Sequence, residues 1–176
     1  GGVKFADSPS EATAAATSIL DLAIDGQHPM GVLVEERGNI VQEYYAAVTW
    51  DALAKRPVVI FSDMGGIDIE EVAKSHPDHL SRTHLSNLRP FSDFEAKLAV
   101  SRVGITGNDL NRLSRIVAAL VEVFLTYDLT LAEINPIGQL IDGRFVALDS
   151  HMDMEEEARG THTELLDLLG IPEEDT

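Results

Sequence analysis

A chain of 176 residues with 44% apolar side chains is long enough for one domain, or for one lobe and part of another, around a sizeable core. Thirty acidic against thirteen basic residues give a formal charge of -17, which repels phosphate backbones and anionic membrane surfaces and argues against nucleic acid or membrane as a partner. The absence of cysteine removes disulfides and thiolate chemistry and fits a cytoplasmic setting, and the sequence has neither a bilayer-spanning apolar run nor the basic-then-apolar start of a signal peptide.

In chain order, Gly1-Gly2 leads into a short predicted strand at residues 3–6. Ser8-Pro9-Ser10-Glu11 is a capping box with proline at the first helical position and predicts a helix over residues 9–24, stopped by Asp25-Gly26. The run Gly31-Val32-Leu33-Val34-Glu35 reads as a buried strand, which Glu36-Arg37-Gly38-Asn39 breaks before a second strand over residues 40–50. A third strand covers residues 57–62. After the turn Asp63-Met64-Gly65-Gly66-Ile67, the segment Asp68-Ile69-Glu70-Glu71 opens a helix with a capping box and ends before Pro77. Backbone N–H groups of a Gly-Gly run can cradle an anion. Here three carboxylates already occupy the positive end of the helix dipole, so the segment reads as structural or as a surface facing another subunit.

Residues 78–91 carry His79, Arg82, His84 and Arg89. Without cysteine or a helical His pair they are no metal site and read as a solvated connection. Ser92-Asp93-Phe94-Glu95 is another capping box and opens a helix that Gly104 closes. Asn108 caps a fourth, whose Leu110, Leu113, Ile116, Val117, Leu120, Phe124 and Leu125 share one face and mark it as core. A short amphipathic helix over residues 161–169 and a mobile acidic tail over residues 172–176 end the chain.

Between the fourth helix and that end lies the stretch with legible chemistry. Asp142-Gly143 between two apolar runs is a hairpin signal, because Gly143 can take the left-handed conformation that closes the turn. With residues 141–143 as a three-residue loop, Leu140 faces Arg144 and Asn135 falls opposite Asp149 with both side chains on one face, which also carries Glu133 and extends to His151. Ile134, Val146 and Leu148 fall on the other, apolar face. A two-residue loop would separate Asn135 from Asp149. An amide oxygen beside a carboxylate suits Mg2+, which keeps waters and takes its remaining ligands from substrate phosphates. Read locally, the pair has a plainer alternative: Asn-Pro ends a strand and Asp149 is a solvated strand end.

The string Glu133-Ile134-Asn135-Pro136-Ile137, with Asp149 fourteen positions after Asn135, resembles the end of the nucleotide-binding domain in succinyl-CoA synthetase β subunits and related ATP-grasp acid-CoA ligases. The likeness includes Gly1-Gly2-Val3-Lys4, the run from Val32 to Glu36, Glu43-Tyr44-Tyr45, Ser62 with the segment from Gly65 to Glu70, and the long helix before the hairpin, so it covers residues 1 to about 158. The resemblance implies an α+β ATP-grasp fold, a mostly antiparallel sheet with helices on one face, divided into part of the first lobe (1–38), the second lobe (39–160) and a short helix with tail (161–176). It implies Mg2+ and ATP as cofactors, with Asn135 and Asp149 as metal ligands, Glu35 and Gly38 at the base and ribose, Glu43 near the phosphates or metal, and a catalytic Glu133 facing a phosphohistidine loop. Departures are Arg37-Gly38, where small residues are common, Met64 in place of an acid, His151 in place of a lysine, and Glu157 in place of an asparagine.

Family members also hold the phosphates with a lysine and a Gly-Arg-Gly loop that precede the Gly-Gly with which this sequence opens, and they carry a further domain for CoA chemistry. The chain is therefore expected to be one piece of a larger ADP-forming acid-thiol ligase, inactive by itself. Its partner would be an α subunit or fused domain bearing the phosphohistidine and CoA site, and a carboxylic acid its substrate. The alternatives are a non-catalytic nucleotide-binding or subunit-docking module of the same descent, or an ATP-grasp ligase with another acceptor. The acid substrate, the choice between ATP and GTP and the oligomeric state are outside what the residues specify.

Overall fold

A long, mostly β-branched and aromatic strand, β1 (Ile40–Asp51), is the spine of an antiparallel sheet. A computed structural model of the protein describes residues 2–24, 26–86 and 88–171. The chain divides into two units, Gly1–Gly38 and Asn39–Thr176. Asp25 of the expected helix stop and the expected mobile tail at residues 172–176 lie outside the described residues.

In the first unit, α1 (Pro9–Leu20) is capped by Ser8, whose hydroxyl accepts from the Glu11 N–H at 3.3 Å. It ends four residues earlier than its alanine-rich sequence suggests, and Ile24 and Gln27 then exchange backbone hydrogen bonds. Lys4 donates to the Ser18 hydroxyl, and the Arg37 guanidinium lies 4.4 Å above the Phe5 ring. The strands expected at residues 3–6 and 31–35 do not form, and Leu33 and Val34 are exposed. A β-branched run becomes a strand only beside a neighbour that completes its backbone hydrogen bonds, and among the described residues of this unit there is none.

The second unit holds β1, β2 (Arg56–Ser62), α2 (Ile69–Ser75), β3 (Leu80–His84), α3 (Asp93–Ser101), α4 (Gly107–Thr126), β4 (Leu129–Leu140), β5 (Phe145–Ala147), β6 (Ser150–Met154) and α5 (Thr163–Leu169), with short 3₁₀ helices at Pro77–His79 and Glu156–Thr161. The strands run β3-β2-β1-β4-β5, and β6 also pairs with β4. Residues 80–84, expected to be solvated connection, are thus an edge strand. Its polar sequence hides the alternation by which Ser81 and Thr83 are buried and Arg82 is exposed.

One sheet face packs on α3 and α4. Tyr44, Ala46, Val48, Val59, Phe61, Ala132 and Ile137 meet Ala96, Val100, Leu113, Val117, Leu120, Val121 and Phe124 there. The α4 face matches the predicted stripe except that Leu125 is exposed and the cap is Thr106 rather than Asn108. At α3 the predicted capping box is complete, and Arg89 grips Glu95 through two 2.9 Å bonds. Burial opposes ionisation of Glu95, but hydrogen bonds from Ser92 and Arg89 outweigh it and lower its pKa. At α2 the Asp68 carboxylate accepts from the Glu70 N–H rather than closing a capping box with Glu71.

The turn joining β1 and β2 is closed by Asp51, whose carboxylate accepts from the N–H groups of Leu53 and Ala54 and bonds His84 Nε2 at 2.7 Å. The Ala54 N–H first, then His84, hold its pKa down from 3.8 to about 2. Because the folded value lies below the unfolded one, the ionised carboxylate favours the fold: its contribution is full above the ordinary value and is lost as pH falls through the folded one. In acid titrations followed by circular dichroism, Asp51→Asn is expected to lose less stability than the parent protein between about pH 4 and pH 2.

Candidate functional site

The site is built where β4 departs from regular pairing. Against β1 its partners run Thr49↔Leu131, Val48↔Ala132, Ala47↔Glu133 and Ala46↔Ile134, then resume at Tyr44↔Ile137 and Glu43↔Gly138. Asn135 and Pro136 together therefore stand opposite Tyr45 alone, a bulge that contains the chain's cis peptide bond among the described residues. An inserted residue exchanges the faces of everything after it. Ala132 and Ile134 point to the helices before the bulge, as Ile137 does after it.

The returning chain keeps the predicted register. Leu140 N–H donates to Arg144 at 2.8 Å around a left-handed Gly143, Ile137 pairs with Ala147, and Ile134 with Ser150. Asn135 N–H donates to the Asp149 carbonyl at 3.1 Å, and Leu148 N–H to Pro136 at 3.0 Å. The expected facing of Val146 and Leu148 with Ile134 fails. Leu148 lies over Gly138, where an added Cβ would come within 2.9 Å of it, and Val146 pairs with Gly138. Phe145 turns to the helices, 5.9 Å edge-on from Tyr44. Apolar patterning does not register an insertion in the neighbouring strand.

On the face away from α3 and α4, the Asn135 carboxamide is held by the loop after β2. Its Oδ1 accepts from the Gly66 N–H at 2.8 Å, and its Nδ2 donates to the Ile67 carbonyl at 3.4 Å. That loop is also stitched to β1: Gly65 N–H donates to the Glu43 carbonyl at 3.1 Å, and Gln42 Nε2 to the Asp63 carbonyl at 2.7 Å. Gly65 is required for this approach, since a Cβ there would sit 2.4 Å from the Tyr44 carbonyl oxygen. Gly66 has φ +72°, and a Cβ on it would fall 2.4 Å from Glu43 Oε2. Glu43 and Asn135 thus meet at Gly66. The Gly66 N–H is already donated, so the loop is less an anion cradle than a brace for Asn135.

Glu133 sits two residues before Asn135, opposite His151 on β6. Its Oε2 accepts from the Tyr45 hydroxyl at 2.7 Å, and burial followed by the Glu133 carboxylate pushes the Tyr45 phenol well above its usual pKa. His151 Nε2 bonds Asp153 at 3.0 Å. Glu35 and Gly38 lie in the first unit, in an exposed stretch without regular structure. Sequence reasoning missed the roles of Tyr45 and Gln42; it read the Gly65-Gly66 segment as structural, without the contact by which it braces Asn135.

The donor chemistry fits Mg2+. Asn135 Oδ1 spends one lone pair on Gly66 and keeps one, while Asp149 is exposed and spends Oδ1 on the Ser150 N–H. Among the described residues no cluster of three or more His, Asp or Glu side chains could cage an ion. Two oxygens from the protein, with the remainder from water and phosphate, match what this ion takes.

A family profile for the ATP-grasp domain matches residues 1–139. The chain belongs to the ATP-grasp domain family. This ATP-grasp chain is 38% identical over 174 residues to the succinate--CoA ligase [GDP-forming] β subunit of Thermus thermophilus and 39% identical over 175 residues to the succinate--CoA ligase [ADP-forming] β subunit 1 of Archaeoglobus fulgidus. Each match takes in 99% of the chain and 46% of the relative, so the chain spans about half the length of these relatives. Among solved structures, ATP citrate lyase from Methanothrix soehngenii superposes with a TM-score of 0.69 at 20% identity, over 93% of this chain and 37% of the other, a likeness of fold. No helix among the described residues is long and apolar enough to cross a membrane.

The bracing role separates the two metal candidates. Asn135→Ala removes two hydrogen bonds to the loop and is expected to destabilise the protein by about 1–2 kcal/mol without metal, whereas exposed Asp149→Ala should cost no more than about 0.5 kcal/mol. Urea unfolding in EDTA checks both values.

Proposed function

We propose that this chain is the nucleotide-binding, ATP-grasp portion of an acid-CoA ligase of the succinyl-CoA synthetase type. The whole enzyme would use Mg2+ and ATP to phosphorylate a histidine, pass the phosphoryl group to a carboxylic acid and let CoA displace it, releasing ADP and phosphate. The observation that carries this reading is the level placement of Asn135 and Asp149 across β4 and the returning chain, one braced and the other open to solvent. The likeness to succinate--CoA ligase β subunits along 99% of the chain supports the reaction class.

In this reading residues 1–38 belong to the first lobe, residues 39–160 form the second, and residues 161–176 are a short helix and tail. Bound Mg-ATP supplies the phosphoryl group and the positive charge that its transfer requires. Asn135 and Asp149 hold the metal through oxygen, Glu43 stands beside Gly66 near the phosphates or metal, and Glu35 and Gly38 contact base and ribose. Glu133 faces the phosphohistidine of an α subunit or fused domain, which also holds the CoA site. Phosphoryl transfer asks for positioning and charge neutralisation rather than covalent help, and a braced amide with a fixed register provides the former. A cytoplasmic setting accompanies this reading.

In the intact protein, Asp149→Ala is expected to weaken Mg2+-dependent ATP binding by roughly tenfold to a hundredfold and to abolish histidine phosphorylation, with the melting temperature retained. Calorimetry with Mg-ATP and a labelled-nucleotide assay measure the two effects. Unchanged Mg2+ dependence in the variant would refute the assignment.

A further inference from the structure

Glu133 is attached to the sheet by a contact that the metal pair does not use. The Tyr45 ring is locked into β1 with 3% of its surface exposed, and its hydroxyl reaches across to Glu133 Oε2 at 2.7 Å. Tyr45 is the residue that faces the two-residue bulge, so its position along β1 is set by the same irregularity that places Asn135. Around the Glu133 carboxylate, Ala47 stands opposite on β1 and His151 opposite on β6, the latter tied to Asp153. Tyr45 alone among the described side chains donates a hydrogen bond to Glu133.

A glutamate has three rotatable bonds, and an unheld carboxylate samples many positions. A group that must meet a reacting partner within a fraction of an ångström needs its rotamer fixed by a neighbour. Resting on the reading that Glu133 faces a phosphohistidine, we infer that Tyr45 is a positioning residue: its hydroxyl pins Glu133 Oε2 and leaves Oε1 to accept from an imidazole N–H of the incoming histidine. The phenol is suited to this task because burial and the neighbouring carboxylate keep it protonated, so it remains a donor throughout the neutral and mildly alkaline range. A lysine or arginine in its place would neutralise Glu133 instead of orienting it.

Tyr45→Phe removes the hydroxyl and keeps the ring, so it tests this role with little change in packing. In the intact enzyme, Tyr45→Phe is expected to slow histidine phosphorylation about tenfold or more, the fold-change that loss of a hydrogen bond to a charged group produces. KM for ATP and Mg-ATP affinity by calorimetry should stay at parent values, and the circular dichroism spectrum should remain that of the folded parent. Glu133→Gln should also slow the step, and the double variant should be no slower than Glu133→Gln alone, because Tyr45 acts through that carboxylate. If Glu133→Gln is slow and Tyr45→Phe is not, or if Tyr45→Phe raises KM for ATP while the phosphorylation step keeps its parent rate, the positioning role is overturned while the ligase reading stands. If Glu133→Gln leaves phosphorylation unchanged, the assignment of Glu133 fails and this inference fails with it.

Discussion

Two residues of β4 stand opposite one residue of β1, and most of what is distinctive in the second unit follows from that mismatch. Just before it, Ala132 and Ile134 feed the core under α3 and α4; after it, Ile137 does. The strand can therefore serve one hydrophobic layer along its whole length while its middle is freed for polar work. Asn135 occupies that freed position. Its backbone is tied to Asp149 and its carboxamide to Gly66 and Ile67, so three chain segments meet at one residue. The helix side is anchored independently by a Tyr44, Gln139 and Asp109 chain of hydrogen bonds that joins β1, β4 and α4.

Much of this was legible before any coordinates. The Asp142-Gly143 signal marked the turn but left two loop lengths open; the three-residue one, which the structure adopts, sets Asn135 opposite Asp149 because a strand has a period of two. The capping box at Ser92 and Glu95 and the stripe on α4 were equally plain, because each is written in residues a few positions apart. What failed was whatever depended on a distant partner. Residues 31–35 have the composition of a strand without a neighbour to complete it, and residues 80–84 lack that composition but are recruited by β2. The facing of Val146 and Leu148 was misassigned because the bulge belongs to the pairing of β1 with β4, which no local pattern records.

The same limit applied to the site. Asn135 and Asp149 could be chosen from oxygen chemistry and register, but the bracing by Gly66 and the hydroxyl behind Glu133 join residues 69 and 88 positions apart. Charge gives the arrangement its direction. A chain with a formal charge of -17 repels an anionic nucleotide, so in the proposed reading a divalent cation held by hard oxygens mediates between them. The acidic start of α2, with Asp68, Glu70 and Glu71, disfavours phosphate at that helix end, and the proposed reading assigns charge neutralisation to the metal.

The central claim is that Asn135 and Asp149 jointly hold the ion that accompanies the nucleotide. It is tested most directly by crystallising the intact protein with Mn2+ and a non-hydrolysable ATP analogue and locating the metal by its anomalous scattering. The account predicts a peak at bonding distance from both Asn135 Oδ1 and the Asp149 carboxylate, with phosphate oxygens completing the shell. A metal bound with the nucleotide but out of reach of either side chain would contradict it.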